Sequence, residues 1–187
     1  MIPKIGAIGK PQHDNRQQST HGYDRDNQDY KPVDLLVRML VDGVSKDGNM
    51  LLNVGPTARG NFDPRAIASL AGVGEWMRLH GRSIYGAGPS RFVPPPDARY
   101  TQRGDRVYLH LFAWPFQHVH LPGLAGMVDY AQLLNDASEV GLISLPPGTH
   151  AGTIHPGGQP EGTLTLKLPV QRPDVAVPVV ELFLTGS

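Results

Sequence analysis

The chain has 187 residues, with 17 Lys and Arg against 17 Asp and Glu, so it carries no formal net charge and lacks the clustered basic excess that nucleic acid or an anionic membrane surface requires. Its 22 Gly and 18 Pro predict many turns and few long helices, while 40% hydrophobic residues suffice for the core of one domain or two small ones. Cysteine is absent, which excludes disulfides, thiolate nucleophiles and Cys-based zinc sites.

Residues 1–31 carry no periodicity and are rich in Gln, Asn, Asp and His, the composition of an irregular segment. The opening MIPKIGAIGKPQHDN is too interrupted for a signal-peptide core, and no run elsewhere is long and apolar enough to span a bilayer. The chain as given therefore reads as cytoplasmic. Asp14, Asp24, Asp26 and Asp29 crowd this segment, but a solvated charge run lacks the rigid, partly buried geometry of general acid–base catalysis.

A first helix is expected from Pro32, with Asp34 in its first turn and an apolar stripe of Val33, Leu36, Val37, Leu40, Val41 and Val44. Gly48 sits where a left-handed cap would end it. Met50 to Val54 follows, an apolar run closed by Gly55-Pro56, which is the pattern of one buried strand. A second helix should begin at Asp63-Pro64, N-cap and first residue, and bury Ile67, Leu70, Ala71, Gly74 and Met77 before ending near His80-Gly81. The small residues Ala71 and Gly74 suggest close packing there. Helix, buried strand, helix is the repeating unit of a parallel α/β sheet or barrel.

From Ser83 onward the pattern changes to short strands and turns. A hairpin turns at Gln102-Arg103-Gly104-Asp105, and its second strand alternates Val107, Leu109, Leu111 and Ala113 on one side with Tyr108, His110, Phe112 and Trp114 on the other. Further strands are expected at His118–Leu121, Val140–Leu145, Leu164–Leu168 and Val175–Leu184, separated by Pro-Gly turns, which argues for an antiparallel sandwich. The stretch GAGPSRFVPPP at 86–96 reads as a proline-stiffened linker. The fold expected is α+β: an irregular segment (1–31), a partial (β/α) barrel remnant of helix-strand-helix (32–89), and a β-sandwich (90–187). His118 and His120 would face one side of a strand without a third ligand, and His150 and His155 lie in a Gly-rich loop, so no metal is assigned. Gly55 to Gly60 lacks the Gly-Lys-Ser/Thr ending of a phosphate loop, and no cofactor is expected.

The sequences YKPVDLLVRMLVDGVSKDGNMLLNVGPTARGNFDP and GEWMRLHGRSIYGAGP closely resemble the end of the catalytic domain of the family 29 α-L-fucosidases. The resemblance runs from about Gly22 to Pro89, with GNMLLNVGPTARG matching that family's last strand and loop, and continues more weakly through YTQRGDRVYLHLFAWP. It implies the last helix-strand-helix of a (β/α)₈-type barrel followed by a C-terminal β-sandwich. Where the family has Ser-Trp-Gly-Tyr this chain has Thr20-His21-Gly22-Tyr23, so His21 replaces an aromatic beside the sugar pocket. By the same resemblance His21, Tyr23 and Asn53 are expected on the pocket wall; Asn53 could instead simply bond backbone where Gly55-Pro56 turns the chain. Retaining glycoside hydrolysis needs two carboxyl groups. The family's nucleophile stands in a Trp-x-Asp context, whereas Trp76 and Trp114, the two tryptophans here, are followed two places on by Arg78 and Phe116. A complete barrel takes roughly 250 residues, so no catalytic residue is assigned in this chain.

Three readings follow. The first is a fucosidase-family protein, with a fucosylated glycan or fucoside as its substrate, that lacks hydrolytic activity by itself. The second is a non-catalytic carbohydrate-binding accessory module, in which Trp114 and Phe116 would be the exposed aromatics of the sandwich. The third is a fragmentary gene product with no selected function. One strand and two helices cannot cover the faces of a closed barrel, so residues 1–80 are expected to expose apolar surface and self-associate unless they pack on the sandwich.

Overall fold

The structure is a computed structural model that describes residues 23, 25–26, 29–144 and 159–186. Helix α1 (Val33–Ser45) follows Pro32, whose extended backbone holds the N-cap position, and buries Leu36, Val37 and Val41. Its end differs in detail from the sequence expectation: Asp47, at φ 60°, takes the left-handed position, and the amides of Asp47 and Gly48 donate to Val44 O (3.2 Å) and Gly43 O (2.8 Å). That pair of bonds is a Schellman cap, with Gly48 one place beyond the left-handed residue.

Residues 50–54 form no strand. A barrel strand is held by ladder bonds from both neighbours, and among the described residues none pairs with this stretch, leaving Leu51 72% exposed. The chain instead closes a small loop through the bridge of Pro56 with Phe62 and the bond from Thr57 N to Asn61 O (2.7 Å).

Helix α2 (Pro64–His80) starts at the expected N-cap, where Asp63 accepts from the Arg65 amide at 2.8 Å. Its buried face is not the expected one: Ala66, Trp76 and His80 are buried, while Ile67, Leu70, Ala71 and Gly74 are exposed. Apolar residues lie on several sides of this helix, so periodicity does not select a face; the indole of Trp76, with the largest area to bury, decides it. Close approach occurs at Gly72, where an added Cβ would lie 2.5 Å from a Val33 methyl. A 3-10 turn, Gly81–Ser83, ends the helical part.

Eight strands follow among the described residues: β1 (Gly88–Pro89), β2 (Ala98–Arg103), β3 (Arg106–Leu111), β4 (His118–Leu121), β5 (Val128–Leu133), β6 (Gly141–Ser144), β7 (Leu164–Lys167) and β8 (Val179–Leu184). They make two antiparallel sheets, ordered β1-β2-β3-β8-β5 and β4-β7-β6. The β2–β3 hairpin pairs Arg103 with Arg106 around Gly104-Asp105, with Gly104 at φ 58°, the arrangement of a type II′ turn. The architecture is α+β, with no closed barrel among the described residues.

The alternation read along β3 decides how the layers stack. Val107, Leu109 and Leu111 enter the core between the two sheets with Leu121, Leu166, Val180 and Leu182. Tyr108 points the other way, into a second core with Val37, Val41, Trp76, Leu134, Val177 and Val179. The helices therefore pack on the outer face of the larger sheet, giving three layers where a sandwich alone would have two. Trp76 Nε1 donates to Val177 O at 2.9 Å across that seam. Arg99 on β2 reaches Asp42 on α1 at 2.8 Å, and Arg82 reaches the buried Glu181 of β8 at 2.7 Å.

Two buried histidines complete the seam. The Trp76 carbonyl can only accept, so the 3.0 Å contact with His80 Nδ1 places the ring proton there. Thr101 spends its hydroxyl proton on Ser83 O (2.7 Å) and so accepts from His110 Nε2 at 2.9 Å. Each ring is left with one bare nitrogen, His80 Nε2 and His110 Nδ1, buried without a partner among the described residues.

Candidate functional site

Of the three residues expected on a pocket wall, His21 lies outside the described residues, Tyr23 is half-buried and Asn53 is exposed. The side chain of Asn53 makes no hydrogen bond with any described residue, so it does not brace the turn at Gly55-Pro56. Tyr23, by contrast, is held. It hydrogen-bonds the carboxylate of Asp63, which also accepts from Arg65 Nε (2.9 Å) and the terminal guanidinium nitrogen (2.9 Å). The same guanidinium lies 4.6 Å from the ring centroid of Tyr30 and donates to Arg25 O at 3.5 Å.

The first turn of α2 thus clasps Tyr23, Arg25 and Tyr30. The chemistry of the clasp follows from its charges. Hydrogen bonds from Arg65 hold the Asp63 carboxyl well below the usual carboxylate range, and Asp63 in turn raises the Arg65 guanidinium. Burial and then the neighbouring Asp63 charge raise the Tyr23 phenol, which therefore stays protonated as a donor. Asp63 is a fixed anion already engaged by four donor groups, three from Arg65 and one from Tyr23, and so a positioning group rather than a general acid. Sequence reasoning identified Asp63 only as a helix cap. The Arg two places on was the available signal for the clasp, though a cap that also grips an upstream segment leaves no periodic trace.

Asp14 and Asp24 lie outside the described residues, and Asp26 and Asp29 are exposed, Asp26 lying 3.6 Å from Arg25. His120 Nδ1 sits 2.8 Å from Thr165 Oγ1 within the smaller sheet, and among the described residues no group of three potential ligands gathers to hold a metal. His150 and His155 fall outside the described residues. No described helix is long and apolar enough to cross a membrane.

A family model described as α-L-fucosidase matches residues 9–82, the stretch that includes Tyr23, Asn53 and the Asp63–Arg65 clasp. The tissue α-L-fucosidase of Bos taurus is 38% identical over 101 residues, covering 52% of this chain and 22% of its own length. The structure of α-L-fucosidase isoenzyme 1 from Paenibacillus thiaminolyticus superposes with a TM-score of 0.77 at 38% identity, over 88% of this chain and 37% of that one. Over residues 9–82 the chain belongs to the α-L-fucosidase family.

Its match falls on the C-terminal part of the family's proteins, and it spans about a fifth to somewhat over a third of these relatives' lengths. The α-fucosidase of Thermotoga maritima in complex with fucose has the same fold, with a TM-score of 0.69 at 24% identity over 87% of this chain and 37% of that one. The structural match extends beyond residue 82 into the sandwich, so the stacking of helices on the larger sheet belongs to the family's architecture.

Proposed function

We propose that this chain forms the C-terminal wall and sandwich support of an α-L-fucoside site whose two catalytic carboxyl groups are not among its 187 residues. The observation that carries the reading is the Asp63–Arg65 clasp: it fixes Tyr23 as a neutral donor inside the segment that the family model matches. Asn53, on the stretch before the closed 56–62 loop, supplies a second, exposed polar group for the same wall. A fucoside or fucosylated glycan is the substrate class.

The test is an assay of the purified chain with an aryl α-L-fucoside. No turnover above buffer is expected from the chain alone, because retaining hydrolysis requires two carboxyls about 5–5.5 Å apart and the Asp63 carboxylate is occupied by Arg65. Turnover abolished by substituting Asp14, Asp24, Asp26 or Asp29 would overturn this reading.

The wall also has an uncovered side. Phe62 and Ile67 hold the two staple positions at the start of α2, and Leu70 lies one turn on; they are 49%, 52% and 36% exposed. We infer self-association through this face. Light scattering after gel filtration is expected to show mass rising with concentration, and Ile67→Glu with Leu70→Glu to return a monomer of unchanged thermal midpoint. A monodisperse wild-type monomer at high concentration would count against it.

A further inference from the structure

Beyond the wall described above, we propose that the cleft where α1 meets the larger sheet is a second, non-catalytic binding site for one neutral sugar ring of a glycan. The cleft has a volume of about 580 Å³ and is lined by Asp34 and Arg38 of α1, Phe112 and Trp114 just past β3, and Arg172 and Asp174 of the segment leading into β8. It shares no residue with Tyr23, Asn53 or the clasp. Its volume falls within the usual range for small-ligand sites.

The lining specifies the class of ligand. Two carboxylates and two guanidinium groups cancel, so a phosphate or carboxylate ligand meets Asp34 and Asp174 and a cation meets Arg38 and Arg172. A neutral ring with several hydroxyls satisfies both kinds of group at once: it donates to the carboxylates and accepts from the guanidiniums, and bonds to ionised partners are the stronger kind. A carboxylate offers about four acceptor sites and a guanidinium five N–H donors. Of these, Arg38 commits one to Asp34 (2.6 Å) and one to Phe112 O (2.6 Å), and Arg172 donates to Val175 O (2.9 Å) and Ala176 O (2.6 Å).

The aromatic part divides in two. Phe112 is engaged by the guanidiniums of Arg38 and Arg99, 5.2 and 5.5 Å from its centroid, and so serves to aim them. Trp114, half-buried where it packs against the core between the sheets, offers its remaining surface for stacking. Its Nε1 donates to Pro169 O at 3.3 Å, which fixes the plane of the indole beside the charged rim. Groups already held in place lose little freedom when a ligand arrives, and this is what separates a built site from a chance depression.

Saturation-transfer NMR on the whole chain tests the site, with neutral methyl α-L-fucoside and anionic glucuronic acid, each a single ring, as probes. Transfer is expected to the neutral sugar and to be at least about tenfold weaker to the anionic one. Trp114→Ala should weaken binding of the neutral sugar about tenfold or more, the loss expected for removing a central aromatic anchor, while Trp114→Phe keeps most of it. Tyr85→Ala, at an exposed residue outside the cleft, should leave it unchanged. Binding that is absent from the wild type, equal for both probes, or unaltered in Trp114→Ala would overturn the proposal. A signal that disappears with Tyr23→Phe and Asn53→Ala but survives Trp114→Ala would also overturn it, and would assign the sugar to the wall instead. A failed fucoside assay leaves this outcome untouched, because binding here needs no catalytic carboxyl.

Discussion

Trp76→Ala is expected to remove most of the stability of the chain. The indole is 3% exposed and sits between the helices and the larger sheet, in one cluster with Val37, Val41, Tyr108, Val177 and Val179. Truncating a buried aromatic to alanine costs about 3–5 kcal/mol, from lost transfer energy and the cavity left behind. Two further losses add to this. The buried Val177 carbonyl loses its 2.9 Å donor, and His80, stacked on the indole with ring centroids 4.8 Å apart, loses its platform. Against a typical net stability of about 5–15 kcal/mol, the helical layer should detach or the chain unfold at room temperature. Trp76→Phe keeps the apolar contact without the hydrogen bond, so its cost should be about 1–3 kcal/mol, from the orphaned carbonyl. Urea unfolding followed by far-UV circular dichroism separates the two variants. A Trp76→Ala unfolding free energy within about 1 kcal/mol of wild type would show that the seam between helices and sheet contributes little.

The importance of that seam was only half legible in the sequence. Alternation along Val107–Leu111 correctly put Tyr108 and His110 opposite the sandwich core, but nothing local says what covers them, because their partners Trp76 and His80 lie about 30 residues earlier in the chain. Local signals worked where the physics is local: the stripe on α1, the Asp63-Pro64 start of α2, and the strand His118–Leu121 all fall where propensity and capping place them. They failed where a neighbour decides. Met50–Val54 has the composition of a buried strand but no ladder among the described residues, so composition without partners does not make one. Strand β5 escaped notice because the register shift between Val128 and Tyr130 breaks the period of two: Val128, Ala131 and Leu133 reach the core, and no strict alternation links them. The candidate site shows the same division. Family resemblance supplied Tyr23, yet the Asp63–Arg65 clasp that holds it depends on the folded meeting of Tyr23, Arg25 and Tyr30 with the first turn of α2.

Mild acid is expected to destabilise the fold well before its carboxylates titrate. Burial, and then the nearby His80, push His110 from the ordinary 6.5 down to about 3, and burial also lowers His80 despite its bond to the Trp76 carbonyl. Geometry gives the reason. Protonation of His110 would put a charge and a new N–H on Nδ1, and protonation of His80 would do the same at Nε2, and neither atom has an acceptor among the described residues. Between pH 6.5 and about 3 the unfolded chain therefore binds protons that the folded chain refuses. The contribution is fully present above pH 6.5 and is lost as pH falls, with a slope from His110 of up to about 1.4 kcal/mol per pH unit and a total of order 5 kcal/mol. His80 and His120, also lowered by burial, add in the same direction. The carboxylates held low by hydrogen bonds, Asp63 and Asp42 among them, lose their contribution only below their unfolded value of about 4. The window from pH 6.5 to 4.5 thus belongs to the histidines. Urea midpoints measured at pH 7, 6, 5 and 4.5 should fall steadily in the wild type. His110→Gln can still donate to Thr101 Oγ1 but cannot take up a proton, so its midpoints should fall less steeply over the same range, whatever its starting stability. Equal slopes in the two proteins, or a flat wild-type profile down to pH 4.5, would mean that the histidine seam opens to water before it resists protonation.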